Sequence, residues 1–196
     1  NAVHHLDRPA LDDAFAKSVG QFGSVQELRD KLRANLLAER QAETERRLER
    51  ELLEAIIKQT TFGDLPELLI DEETVKMVDE LEHDVTHRGF KFEDYLTNLK
   101  KTRDDLRREL RPAAEQRLKS ALIVRAVAEQ EKIQADRADI ERERTLLRDE
   151  YAENPEALGR IEDDDVTRYL ATLVVNRQAL ARLKALAGVA EQTPDT

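Results

Sequence analysis

"LRRELRPAAEQRLKSALIVRAVAEQEKI", Leu106 to Ile133, favours helix at nearly every position, yet Pro112 sits inside it. Proline lacks an N–H, and its ring crowds the carbonyl of Arg108, at a cost of about 3 kcal/mol in a regular helix interior. Arg111, just before it, is pushed away from helical geometry. The apolar stripe nevertheless runs on across the proline, through Leu106, Leu110, Ala114, Leu118, Ala121 and Leu122. That continuity predicts a kink, or two helices meeting at an elbow, with the same face buried throughout. Upstream, Thr102 is placed to cap the helix, with Asp105 as its capping-box partner.

The rest of the chain agrees with a helical reading. Of 196 residues, 38% are charged, 40% apolar and only 4% aromatic, with no Trp, six Gly and five Pro. Few breakers among many Ala, Leu, Glu and Arg residues predict an all-α fold with long helices and an aliphatic core. Such a core is small for this length, so an extended multi-helix shape is expected. The net charge is −10, and cations alternate with carboxylates nearly everywhere. This is the pattern of a solvated helix surface, and it argues against a direct nucleic-acid partner, which would call for a basic stripe. The absence of cysteine excludes a disulfide framework, a Cys-ligated zinc and a thiol nucleophile, and fits a cytoplasmic location. No apolar run approaches about 18 residues, so neither a membrane span nor a membrane partner is expected. The chain starts at Asn1 without Met or a signal-peptide core, and is expected to be part of something longer.

Three divisions are expected: an N-terminal linker segment over 1–10, a helical region over 11–188 and a disordered tail over 189–196. "LDDAFAKSVGQFG" (11–23), with Phe15, Val19 and Phe22, predicts a short helix ended by a left-handed glycine. Ser24 and Glu27 form a capping box opening a long helix over 24–59, about 54 Å in length. Leu28, Leu32, Leu36 and Leu37 stripe its first half, and Leu48, Leu52, Leu53, Ile56 and Ile57 its last turns. Between them "AERQAETERR" has no large apolar side chain, so that part can bury little. Gly63, Asp64 as a cap and Pro66 in a first turn begin the next helix, which ends near Gly89. A short helix over "KFEDYLTNL" precedes the opening stretch. A charged helix begins at Ala135 or Asp136 and breaks at Pro155. The last helix, Val166 to Ala187, follows the acidic cap "EDDD" and ends before Gly188.

Chemistry-bearing patterns are sparse. His83 and His87 share a helix face at metal-ligand spacing, but Asp84 stands where a zinc protease has Glu, and no third ligand offers itself. His4 and His5 lie in the terminal segment. Asp163, Asp164 and Asp165 suit a helix N-terminus better than a cation loop. No phosphate loop or nucleophile elbow occurs, so no catalytic residue, metal or cofactor is expected. What remains is surface. Leu147, Tyr151, Leu158 and Ile161 cluster at a helix–turn–helix tip around Pro155, either as an interaction patch or as a local plug.

"LDDAFAKSVGQFGSVQELRDKLRANL", "FGDLPELLIDEE", "RGFKFEDYL" and "ELRPAAEQRLKSALIVRAVAEQEKI" resemble, in that order, the C-terminal domain of bacterial trigger factor, from about Leu11 to Gly188. The resemblance implies an all-α domain with a body and two helical arms forming a cradle. It implies a chaperone that binds unfolded or nascent polypeptide without ATP and is able to dimerise. It places substrate contacts on Leu147, Tyr151, Leu158 and Ile161. It also implies a parent with a ribosome-docking domain and a prolyl-isomerase domain; no Gly-Phe-Arg docking loop or aromatic-rich β-barrel stretch occurs in these residues, so a ribosome would be reached only through the missing part. "NLKKT" lacks the glycine often seen in that loop, and residues 163–187 match less closely. Two other readings stand beside it: a helical scaffold with one fixed protein partner, and a metal-dependent helical enzyme centred on His83 and His87.

Overall fold

The computed structural model describes residues 10–188. Residues 1–9 and 189–196, with the expected terminal linker, the expected disordered tail and His4 and His5, lie outside the described residues. Among those described there are eight helices and no strand, so the fold is all-α. They are α1 (Asp13–Val19), α2 (Val25–Gln59), α3 (Glu67–His87), α4 (Phe92–Leu99), α5 (Arg103–Gln130), α6 (Arg137–Glu150), α7 (Pro155–Arg160) and α8 (Asp164–Leu186). The chain divides into two compact units, residues 1–51 and 52–196, with α2 contributing to each.

In the first unit, Asp12 caps α1 by accepting from Phe15 N–H at 2.9 Å. Gly20 ends α1, but its backbone is extended (φ 172°) rather than left-handed. A Cβ there would stand 2.5 Å from Cε2 of Phe22, so a larger residue would require that ring to move. Ser24 Oγ accepts from Glu27 N–H at 3.2 Å, while the Glu27 carboxylate reaches past Ser24 to Gly23 N–H at 2.6 Å. The expected box is thus formed one residue out of register. Asp13 adds a long-range tie, accepting from Val25 N–H at 2.9 Å. Ala16 and Leu28 are buried, but the stripe stops there, because Leu32, Leu36 and Leu37 are all more than half exposed.

The second unit is built on α5, whose two halves face different neighbours. Leu106 and Leu110 join Val78, Leu81, Val85, Phe92, Tyr95 and Leu96 in one core between α3, α4 and α5. Val124, Val127 and Ala128 join Leu53, Ile133, Val175, Ala179 and Leu180 in a second core against α8. The small side chains of Ala128 and Ala179 let α5 and α8 approach closely. The buried face therefore rotates after Leu118 instead of running straight: Ile123 and Val124 are covered, whereas Leu122 is exposed. This corrects the expectation of one face buried throughout.

Pro112 is accommodated without a break, for α5 is one helix from Arg103 to Gln130. Both Pro112 and Arg108 are exposed, so water can satisfy the Arg108 carbonyl that the missing N–H leaves open. Arg111 pairs with Glu67 and Asp71 of α3, which fixes the residue the proline strains. Further along, Arg117 grips Glu80 at 2.7 and 3.0 Å and Glu73 at 2.9 Å. At the start of α5, Arg103 pairs with Glu82 and lies 5.0 Å from the centre of the Phe92 ring.

Caps explain the other boundaries. The Thr102–Asp105 box forms as expected. Asp64 does not cap α3; Pro66 itself is the N-cap and lies outside the first turn. Gly89 closes α3 at φ +84°, donating to Thr86 C=O while Phe90 N–H reaches Val85 C=O, a Schellman closure. The same closure recurs at the ends of α4 and α5, but with Lys100 and Lys132 in the left-handed position, each at φ 55°.

Candidate functional site

The tip between α6 and α8 is assembled from short-range bonds and one ion network. Leu147 C=O accepts from Tyr151 N–H at 2.9 Å, and Tyr151 C=O from Asn154 N–H at 2.8 Å. The Asn154 side chain then caps α7, accepting from Ala157 N–H at 3.1 Å, with Pro155 at the helix start where its missing N–H costs nothing. Beneath this turn Glu162 receives hydrogen bonds from both Arg148 and Arg144. These hold its carboxyl below the ordinary glutamate value, Arg148 acting most strongly. Arg144 is buried, its side chain only 10% exposed. It also donates to Thr167 Oγ1 at 2.8 Å, while its Nε lies 3.5 Å from Glu141 without a hydrogen bond. Arg177 with Glu143 at 2.8 Å and Gln178 with Asp139 at 2.9 Å continue the seam between α6 and α8.

The four expected tip residues differ in exposure. Ile161 is buried, at 5%, as a plug under the turn; Leu147 and Leu158 are half-buried; Tyr151 is 42% exposed. Leu146, which the pattern did not single out, is 61% exposed next to Leu147. The tip is thus a covered base with an apolar rim.

A second feature escaped the sequence reading. The end of α5, the start of α6 and the middle of α8 enclose a groove of about 880 Å³. Ala121, Ala128, Ile133, Ile140, Ala171 and Val175 contribute its apolar lining, while Arg125, Glu129 and Lys132 also border it. Its alanines were visible as small residues on helices. Nothing in one helix showed that three would meet around them.

The His83 and His87 rings stack with centres 6.2 Å apart on the exposed side of α3. No group of three or more potential metal ligands occurs among the described residues. No described helix is long and apolar enough to cross a membrane.

The described residues thus form an all-α domain with ion-paired helix seams, one apolar-rimmed tip and an open groove. Residues 24–185 match the family described as bacterial trigger factor protein (TF) C-terminus, and the chain belongs to that family. It is similar to trigger factor of Clostridium kluyveri, with 27% identity over 176 residues, covering 89% of this chain and 41% of the relative. It is likewise similar to trigger factor of Halothermothrix orenii (29% over 152 residues; 78% and 35%) and of Agathobacter rectalis (26% over 205 residues; 100% and 46%). The chain therefore spans less than half the length of these curated relatives. The matching part is not the isomerase domain of that family.

Proposed function

We propose that this chain is an ATP-independent chaperone domain that binds unfolded or nascent polypeptides through apolar patches, in the helical cradle its family resemblance implies. The observation that carries the reading is the α6–α8 tip, where Leu146 and Tyr151 stand exposed above the buried Ile161. A plug and an ion network hold the rim in place, so its apolar surface stays available instead of collapsing inward. Leu147 and Leu158 complete the contact surface, and the groove between α5, α6 and α8 supplies a second one. The driving force is removal of apolar area from water, about 25 cal/mol per Å² before ordering costs. Each patch alone is weak and tolerant of sequence; engagement of several at once supplies affinity. Interleaved charge keeps such a surface soluble.

The domain needs no cofactor, metal or catalytic residue for this task, and nucleic acid and membrane are not direct partners. The longer parent carries prolyl-isomerase activity and the ribosome contact in other domains, and works in the cytoplasm; two copies can pair.

The test is the double substitution Leu147→Ser with Tyr151→Ser. Binding of a fluorescently labelled unfolded protein is expected to weaken by about fivefold or more with helicity unchanged. Unchanged binding would remove the tip from the site, and loss of the fold would make these residues core.

A further inference from the structure

The last turns of α3 carry His83 and His87, both exposed. Four residues apart on a helix, two side chains stand one above the other on the same face. Their rings lie nearly parallel, 17° between planes and 6.2 Å between centres. The backbone beneath them is fixed from inside. Val85, between them, is buried in the core shared by α3, α4 and α5, and the N–H groups of Gly89 and Phe90 close the helix end on the carbonyls of Thr86 and Val85. The Thr86 hydroxyl is tied back to the carbonyls of Glu82 and His83 at 2.8 and 2.9 Å. The two rings themselves stand in solvent, where they turn about their own side-chain bonds.

The carboxylates of α3 are mostly engaged. Glu67 and Asp71 pair with Arg111, Glu73 and Glu80 with Arg117, and Asp79 and Glu82 with Arg103, all three arginines belonging to α5. Asp84 is different: its side chain has no ion pair or hydrogen bond among the described residues, not even with Arg88 one turn further on. Glu72 is also unpaired, but lies three turns back from His83. An unneutralised carboxylate therefore adjoins the imidazole pair. Neutral imidazole is a ligand for Zn(II), Ni(II) and Cu(II). Two rings bridged by such an ion, with metal–nitrogen bonds of about 2.0–2.1 Å, have centres roughly 5 Å apart, so this pair needs to close by only about 1 Å as its nitrogens turn inward. Asp84 does not join the two rings in a three-ligand cluster. Its part is charge: it draws the cation and accepts a hydrogen bond from metal-bound water. Hard cations such as Mg(II) seek an all-oxygen shell, which this face lacks.

We propose that His83 and His87 form a surface site for a transition-metal ion of the Cu(II), Ni(II) and Zn(II) class, with Asp84 as its charge partner and water in the remaining positions. The ion staples the last turns of α3 across Val85, at the corner where α3 leads into α4. Because the unfolded chain does not hold the rings together, binding stabilises the folded domain. The site lies apart from the tip and the groove, stands independently of the chaperone reading, and carries no catalytic step.

The experiment titrates Ni(II) into the whole chain by calorimetry, in a background carrying His4→Gln and His5→Gln so that the terminal histidines do not compete. One equivalent is expected to bind. His83→Gln and His87→Gln should each weaken binding by more than about tenfold, the least that loss of even an outer partner commonly costs. Asp84→Asn should weaken it by about threefold, through the lost charge alone. Cu(II) should bind more tightly than Ni(II) or Zn(II), and Mg(II) should not bind. At saturating Ni(II) the thermal midpoint of the background chain should rise, while those of the His83→Gln and His87→Gln variants should stay in place. All three side chains are exposed, so helicity without metal should not change. Absence of Ni(II) binding, binding that survives either histidine substitution, equal binding of Mg(II), or a thermal midpoint indifferent to Ni(II) would overturn the proposal. Unchanged affinity in Asp84→Asn would overturn the part given to that carboxylate.

Discussion

Arg144, buried between α6 and α8, is held by Glu162 from the turn that joins α7 to α8. Arg148 reaches the same carboxylate from one helical turn further on, so a single exposed acid fastens the base of the tip to two cations of α6. Because the folded form holds Glu162 below its ordinary value of 4.5, its contribution to stability is fully present above that value and is lost as pH falls through the lowered one. Glu162→Gln is therefore expected to lower the thermal midpoint near neutral pH. The gap from the parent should narrow as pH falls below the ordinary glutamate value in a calorimetric series. A gap that stays constant with pH would mean that Glu162 does not act through its charge.

Pro112 supplies a prediction of opposite sign. Restoring an N–H at this exposed position lets the Arg108 carbonyl regain its helical hydrogen bond and removes the ring clash. The unfolded chain gains some freedom in return. Pro112→Ala should stabilise the domain by about 2 kcal/mol in urea unfolding. A destabilised variant would show that the partners of α5 depend on a proline-shaped helix.

Lys100 and Lys132 sit in the left-handed region at φ 55°, where a Cβ is strained. Lys100→Gly and Lys132→Gly should each raise stability by about 0.5–1 kcal/mol, the relief of strain exceeding the extra freedom of the unfolded glycine. Denaturant midpoints of the single variants and of the pair test this. The two sites close different helices, so their effects should add.

Phe92 is 1% exposed at the centre of the α3–α4–α5 core, under the Arg103 guanidinium. Phe92→Ala should cost about 3–5 kcal/mol by equilibrium unfolding. A smaller loss would mean that α4 collapses readily into the space.

These boundaries and contacts were legible to different degrees. Thr102 and Asp105 were readable because a capping box is a local pattern whose bonds close within one turn. The Ser24–Glu27 box was readable but misplaced by one residue, since the pattern says which side chains cap and not which N–H is nearest. Asp64 and Pro66 competed for one end, and Pro66, helical in φ but extended in ψ at 128°, took the N-cap place. Lys100 and Lys132 gave no signal, because a left-handed lysine is imposed by the closure around it and not by its own preference. The leucines of α2 show the limit of periodicity: a stripe proves that a face is apolar, but a partner is needed to bury it. Ile161 became a plug, Leu146 a rim and Arg144 a buried cation for the same reason. Such outcomes depend on how α6, α7 and α8 meet.

The central claim is that apolar surface on this chain stays open to many different polypeptides. Its most direct test is suppression of aggregation of several unrelated denatured proteins by the chain alone, followed by light scattering without ATP. Suppression of most of them, reduced by Leu147→Ser with Tyr151→Ser, is the predicted result; activity toward a single protein, or toward none, would contradict it.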